Sequence, residues 1–254
     1  MNIYIQDIVN RLSQFSEKLD NTSMFIDKPW VLIDDETNYH KYIFKRNGEL
    51  IMSMNGQVQI GKWEYLTAAK SLLIDRIKDK ILLNQSFFDL AVMVLKVDGT
   101  NNELFILADE IIIPDLNIKK YLRSLEYKKF NILTGTLENG KTLEIHRGNS
   151  EALPEIGMKA TIDGKTPENG RYKSQTSGRD YQIVEGKILK ITNPRQYKTE
   201  EGLEIIVEQH FGHTLSKGDL VYLNSTLLKT GKYKIGKFKN LVIVNGVITK
   251  ITLF

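Results

Sequence analysis

The residues best equipped for chemistry are few and scattered. The stretch "HFGH" sets His210 and His213 three residues apart beside a glycine. Two imidazoles at that spacing can share a metal ion when a third ligand arrives from elsewhere in the chain, here Glu208 or His146. Solvated turn histidines are the simpler reading, so His210 and His213 stand as weak metal candidates and no metal is expected. "IDDE" gathers Asp34, Asp35 and Glu36, but the paired acids of a glycosidase must face each other across a cleft, which neighbouring turn residues do not. No phosphate-binding glycine loop, no "HExxH" and no "GxSxG" occurs. The chain has no cysteine, which removes disulfides, thiolate metal sites and cysteine nucleophiles. The expectation is a protein without catalytic residues or cofactor, one that acts by binding.

The elements that would position such residues divide into two parts of opposite charge. Up to Leu116 there are 12 Lys/Arg against 17 Asp/Glu, and beyond it 23 against 14, within a net charge of +4 for 254 residues. A reversal of sign between halves predicts two domains with different partners. The opening segment places Ile5, Ile8, Val9, Leu12, Phe15 and Leu19 at three- and four-residue steps, the apolar stripe of a helix lying on whatever follows. It lacks the basic start and continuous apolar core of a secretion signal, and no run approaches the roughly 20 apolar residues of a membrane span. The expected location is the cytoplasm, or a site reached without a cleaved signal.

From Pro29 the hydrophobic period becomes that of strands, punctuated by Asn47-Gly48, Asn55-Gly56 and Asp98-Gly99, dipeptides suited to tight hairpins. Seven or so antiparallel strands joined in order predict a meander that closes on itself. Trp30, then Tyr42, Phe44, Asn47 and Gly48, then Gly61, Trp63, Glu64 and Tyr65, then Leu72 to Asp75 together resemble the small lipocalin-like domains of bacterial proteins, over about residues 29–109. The resemblance implies a barrel of about eight strands, with Trp30 and Trp63 at its base and in some members an apolar cavity. The helix stripe would then plug one end. Phe87 and Phe88 are placed to fill the mouth or to touch a ligand or partner. A second helical stretch opens after Pro114, with Ile118, Tyr121, Leu122 and Leu125 on one face and Asp115 or Asn117 as cap.

The last half of the chain repeats itself. Gly157, Gly170 and Tyr172 precede Gly218, Gly231 and Tyr233 by 61 residues, and Gly186 precedes Gly246 by 60. "NGKTLEI" at 139–145 is echoed by "EEGLEII" at 200–206. A match sustained over one period is the signature of duplication. The phrase is similar to β-repeats of bacterial and phage-associated structural proteins, which implies an assembly role. The fold expected is mainly β with two helices: a helix over 1–28, a lipocalin-like antiparallel barrel over 29–113, a helical connector over 114–130, and tandem small β-modules over 131–193 and 194–254. The expected function is protein–protein interaction without catalysis. Two rivals are nucleic-acid binding through Lys229, Lys232, Lys234, Lys237 and Lys239 with Tyr233 and Phe238 stacking, and carriage of a small apolar ligand in the barrel.

Overall fold

The computed structural model describes residues 2–33, 39–101, 103–148, 153–236 and 239–253, without the side chains of residues 2 and 3. The "IDDE" carboxylates, Lys237 and Phe238 lie outside the described residues. The chain forms two compact units, Met1–Lys129 and Phe130–Phe254. Among the described residues no helix is long and apolar enough to cross a membrane.

The first unit is a closed barrel of eight antiparallel strands in sequence order. They are β1 (Trp30–Leu32), β2 (His40–Phe44), β3 (Glu49–Met54), β4 (Gln57–Leu66), β5 (Ser71–Asp75), β6 (Lys80–Phe88), β7 (Val92–Val97) and β8 (Leu104–Asp109). β1 bonds both β2 and β8, which closes the ring. Inward-facing residues alternate along each strand and fill the interior, among them Trp30, Tyr42, Phe44, Leu72, Phe88 and Phe105. An eight-stranded ring has room for its own side chains and little else.

The N-terminal segment behaves differently from the single helical stripe its spacing predicts. Helix α1 runs only from Asn2 to Leu12. Ile5, Ile8, Val9 and Leu12 are buried, yet none of them joins the interior cluster. The helix packs on β6 and on α2 (Ile118–Lys129), and Arg11 Nε meets the buried Glu126 carboxylate at 2.6 Å. β7 explains the arrangement, because four successive residues, Val92 to Leu95, are all buried. Met93 and Leu95 point into the barrel, and Val92 and Val94 must therefore be covered on the outside. The plug comes from the chain after the helix. Phe25 and Leu19 join the interior, and Phe25 makes edge-to-face contacts with Phe44, Trp63 and Phe88 at 5.3, 5.3 and 5.9 Å. Its carbonyl accepts the Trp30 indole N–H at 2.9 Å. Fully burying one such ring contributes roughly 1.5–3 kcal/mol.

α2 belongs with the first unit. Asn117 caps it, its side-chain oxygen accepting from the Lys120 N–H at 3.1 Å, while Asp115 bonds the Asn117 N–H at 3.2 Å.

The second unit is one sheet of twelve strands built over two separate cores. Its first half holds β9 (Ile132–Thr136), β10 (Thr142–His146), β11 (Lys159–Ile162), β12 (Gly170–Lys173), β13 (Asp180–Val184) and the start of β14 (Lys187–Lys198). Its second half holds the rest of β14, β15 (Glu204–His210), β16 (Leu220–Leu223), β17 (Thr226–Leu227), β18 (Gly231–Ile235), β19 (Lys239–Val244) and β20 (Val247–Leu253). β14 pairs β13 through Lys187–Thr192 and β15 through Thr192–Lys198, so one strand serves both halves.

Corresponding hydrogen bonds recur along the two halves. Gly157 N–H bonds Ile188 O at 2.7 Å and Gly218 N–H bonds Ile248 O at 2.8 Å. Lys173 pairs with Glu138, and Lys234 with Glu200, both at 2.6 Å. Tyr172 and Tyr233 are half-buried, and each donates its hydroxyl to a backbone carbonyl four residues back, at Glu168 (2.7 Å) and Lys229 (3.0 Å). Gly170 and Gly231 have no positive φ; their role is space, since each tyrosine ring lies over the glycine two residues earlier. The hairpin glycines Gly186 and Gly246, at φ 69° and 78°, do use the left-handed region. The upstream echo sits one residue from the sequence alignment. Gly140 N–H bonds Leu137 O and Gly202 N–H bonds Thr199 O, so the hairpins correspond at a spacing of 62 rather than 61.

Candidate functional site

Three places carry features beyond packing. The first is the far part of β4. Pairing with β5 begins only at Lys62, opposite Asp75, while pairing with β3 continues down to Gln57. Residues Gln57–Gly61 are therefore bonded on one side alone. Gly61 marks the crossing, where a Cβ would collide with the Asp75 carbonyl. Beyond it the strand reads Gln-Val-Gln-Ile-Gly with no charge and no proline. Val58 and Ile60 face outward and are 64% and 60% exposed. Across the same outer face Ile60 stands opposite Ile51, and Ile51 opposite Ile43, a row of three isoleucines over three strands.

The second is the barrel mouth beside that strand, a cavity of about 370 Å³ lined by His40, Tyr42, Met52, Met54, Gln59 and the turn residues Arg76, Lys78 and Asp79. Arg76 is clamped by Asp79 in a two-pronged ion pair, with Nε to Oδ1 at 2.8 Å. The Arg76 pair holds the Asp79 carboxyl below the usual carboxylate range, and Asp79, with help from the Tyr42 hydroxyl, holds the guanidinium above its ordinary value. Methionine and tyrosine make the floor, and the Arg76–Asp79 ion pair with Lys78 makes the rim.

The third is a polar pocket of about 150 Å³ in the second unit, lined by Arg171, Asp180, Gln182, Lys190, Thr192 and Glu208. Arg171 Nη2 reaches Glu208 Oε1 at 2.6 Å and Asp180 Oδ2 at 3.2 Å, tying β12 and β13 of the first half to β15 of the second. Burial pushes the Asp180 carboxyl up, Arg171 opposes this and Glu208 adds to it. Two carboxylates and two cations balance one another here. The set is an ion network suited to holding strands together.

Comparison with protein-family models, with curated proteins and with solved structures finds no match to this chain.

The residues singled out from sequence are placed as follows. The His210 and His213 rings lie 6.5 Å apart, edge to face, at the end of β15. Neither suggested third ligand is available: Glu208 is bound to Arg171, and His146 Nε2 lies 3.2 Å from the Thr161 hydroxyl, which donates to the buried Glu144 at 2.6 Å. Among the described residues no three His, Asp or Glu side chains gather to hold a metal. Phe87 and Phe88 are both fully buried, which agrees with the filling role among the two expected for them. Phe88 sits inside the barrel and Phe87 outside the interior cluster, as successive strand residues do, and the bulge in β6 between Gln85 and Phe87 sets which of the two turns inward. Trp30 and Trp63 flank Phe25 and Phe44 at the plugged end, with the Trp63 indole bonding Lys45 O at 2.8 Å. Sequence reasoning passed over β4, although its uncharged "QVQIG" was there to be noticed as a strand without the lysines that ordinarily protect an edge.

Proposed function

We propose that the protein is a non-enzymatic binding and assembly protein, in which the barrel is a solid support and the projecting part of β4 is its docking edge. One observation carries this reading: Gln57–Gly61 pairs on one side only, bears no charge and exposes Val58 and Ile60. Natural sheets blunt such edges with lysine, proline or bulges, because an open row of N–H and C=O groups recruits another strand. A chain that leaves one open keeps a surface shaped for strand addition, with backbone bonds supplying affinity and alternate side chains specificity. The filled interior agrees with a supporting role for a lipocalin-like barrel. We read residues 131–254 as a tandem duplication of one β-module, on the recurring bonds described above, and the resemblance to bacterial and phage-associated assembly repeats points to a platform.

The test is a photo-crosslinking residue placed at position 58, and for comparison at exposed position 187, in the living source. A discrete protein adduct from 58 and none from 187 is expected. Equal labelling at both, or none at either, sinks the docking edge.

A second reading is favoured by the mouth, whose apolar floor and rim of Lys78 beside the Arg76–Asp79 pair suit a small amphiphile with an anionic head. Stoichiometric binding of a fatty acid, lost in Arg76→Ala, would establish it. Nucleic-acid binding gains less support, since of its proposed contacts Lys234 is in an ion pair with Glu200 and the Tyr233 hydroxyl is held on the Lys229 carbonyl. No salt-sensitive shift of DNA or RNA is expected.

A further inference from the structure

We propose that the strand received by the open edge of β4 is the same edge of a second copy of this chain, related by a two-fold axis through Gln59. The inference rests on the edge-docking reading above and names its occupant.

Hydrogen-bond parity is the starting point. The β3–β4 turn is the two-residue Asn55-Gly56, with φ of 51° and 83°, and such a turn is closed by a hydrogen-bonded pair, here Met54 and Gln57. Bonded and non-bonded pairs alternate from there. Gln57, Gln59 and Gly61 direct their backbone groups to β3, and Val58 and Ile60 direct theirs away from it. The open edge therefore offers four groups, one N–H and one C=O at each of Val58 and Ile60.

A second copy laid antiparallel, with its Gln59 opposite Gln59, places its Ile60 opposite Val58 and its Val58 opposite Ile60. Those are the two bonded pairs of an antiparallel ladder, and all four free groups are used at once. The free stretch is bounded by the turn at Gly56 on one side and by the start of β5 pairing at Lys62 on the other. Its middle residue is Gln59, so the axis demanded by the hydrogen bonds is also the centre of the available strand. An isologous contact of this kind must be self-complementary.

The side chains meet that condition. On the outer face each exposed valine meets an isoleucine, continued by Ile51 and Ile43 behind Ile60. On the inner face Gln59 meets its own copy, and an amide can both donate and accept. No charge lies within the paired stretch, so no like-charge pair crosses the axis, as it would for an edge bearing lysine. An extended peptide of polar residues would satisfy the backbone alone, whereas a second copy also covers Val58 and Ile60 with its own Ile60 and Val58. Four backbone bonds and two apolar pairs fall below a standard-size interface, so the dimer should be weak, with a Kd on the order of 100 µM.

The experiment is sedimentation equilibrium of the full chain up to about 1 mM, together with amide exchange at Val58 and Ile60. The wild type should dimerise, and protection of those two amides should rise with protein concentration. The variants Val58→Lys/Ile60→Lys and Val58→Glu/Ile60→Glu, with far-UV circular dichroism confirming the native fold, should each stay monomeric. Mixed together at low salt they should form a heterodimer that salt dissolves. A wild type that stays monomeric throughout, or charged variants that dimerise like it, overturns the second copy as occupant. The two readings are then separated by an uncharged alternating Thr-Val peptide. If it protects Val58 and Ile60 in the monomeric wild type, the docking edge survives with another occupant; if it does not, both readings fall.

Discussion

The two halves of the second unit repeat a set of backbone bonds and ion pairs and differ in the side chains around them. Ile183 and Ile243 occupy the same slot, opposite Gly170 and Gly231, and both are fully buried. Three residues along each ladder the two halves differ in charge. Asp180, opposite Lys173, corresponds to Asn240, opposite Lys234, and only the first half carries a titrating group beside the Arg171 network. Leu153, Ile156 and Leu189 are exposed in the first half, where the second has Thr214, Lys217 and Thr249. The glycines, turns and these core slots of the two halves thus agree while the exposed residues around them differ.

The strongest way to break this comparison is to empty the matched core slots. Ile183→Ala and Ile243→Ala should each cost about 2–5 kcal/mol, the usual range for a fully buried isoleucine. Equilibrium denaturation should give costs of similar size, and amide exchange should rise in the half that carries the substitution. A loss felt equally across all twelve strands would mean that the unit has one cooperative core and that its halves are not separable modules.

A subtler pair sits at the glycines under the tyrosines. A Cβ at Gly231 would lie 3.2 Å from the Tyr233 ring, but one at Gly170 would lie 3.7 Å from Tyr172. Gly170→Ala should therefore be neutral, or stabilise by about 0.5 kcal/mol through the lost freedom of the unfolded chain. Gly231→Ala should cost up to about 1 kcal/mol as the ring is pushed off its carbonyl bond. Thermal melting of the two variants resolves the order, and the reverse order would show that the ring positions are not equivalent.

The smallest effect concerns protons. Burial raises the Asp180 carboxyl in the folded state, so the folded protein holds that proton more tightly than the unfolded one. The associated stability is complete below the unfolded value near 3.9 and is lost as pH rises through the raised value. Asp180→Asn should flatten stability over that window, and Glu208→Gln should lower the Asp180 value by removing a negative neighbour. Titration followed by NMR decides both. Asn240 should contribute no such slope.

Much of the fold was legible because local chemistry carries it. Asn55-Gly56 announces its turn, alternation announces strands, and the 60-residue echo announces matched hairpins. The N-terminal stripe was only half legible. Ile5 to Leu12 and Leu19 share one spacing, yet the first group covers a barrel wall and Leu19 enters the interior, a division set by the break after Leu12. Phe25 gave no periodic signal at all, because a plug is defined by the hole it fills. The open edge of β4 was hidden for a related reason. How far one strand overshoots its neighbour follows from the stagger that closes a barrel, and that stagger belongs to the ring and not to any single segment.

β14 has a consequence for the order in which the protein comes into being. A chain emerging from the ribosome folds from its N-terminal side as residues become available. The strand pairing within the first half is in place once Thr192 has emerged, since Lys187–Thr192 supplies its last strand, while Phe211 packs on its core later. The same strand then continues as Asn193–Lys198, already extended and without a neighbour until Glu204–His210 is synthesised. The first half thus holds out the first strand of the next one, and through that single strand the register of the second half is tied to that of the first.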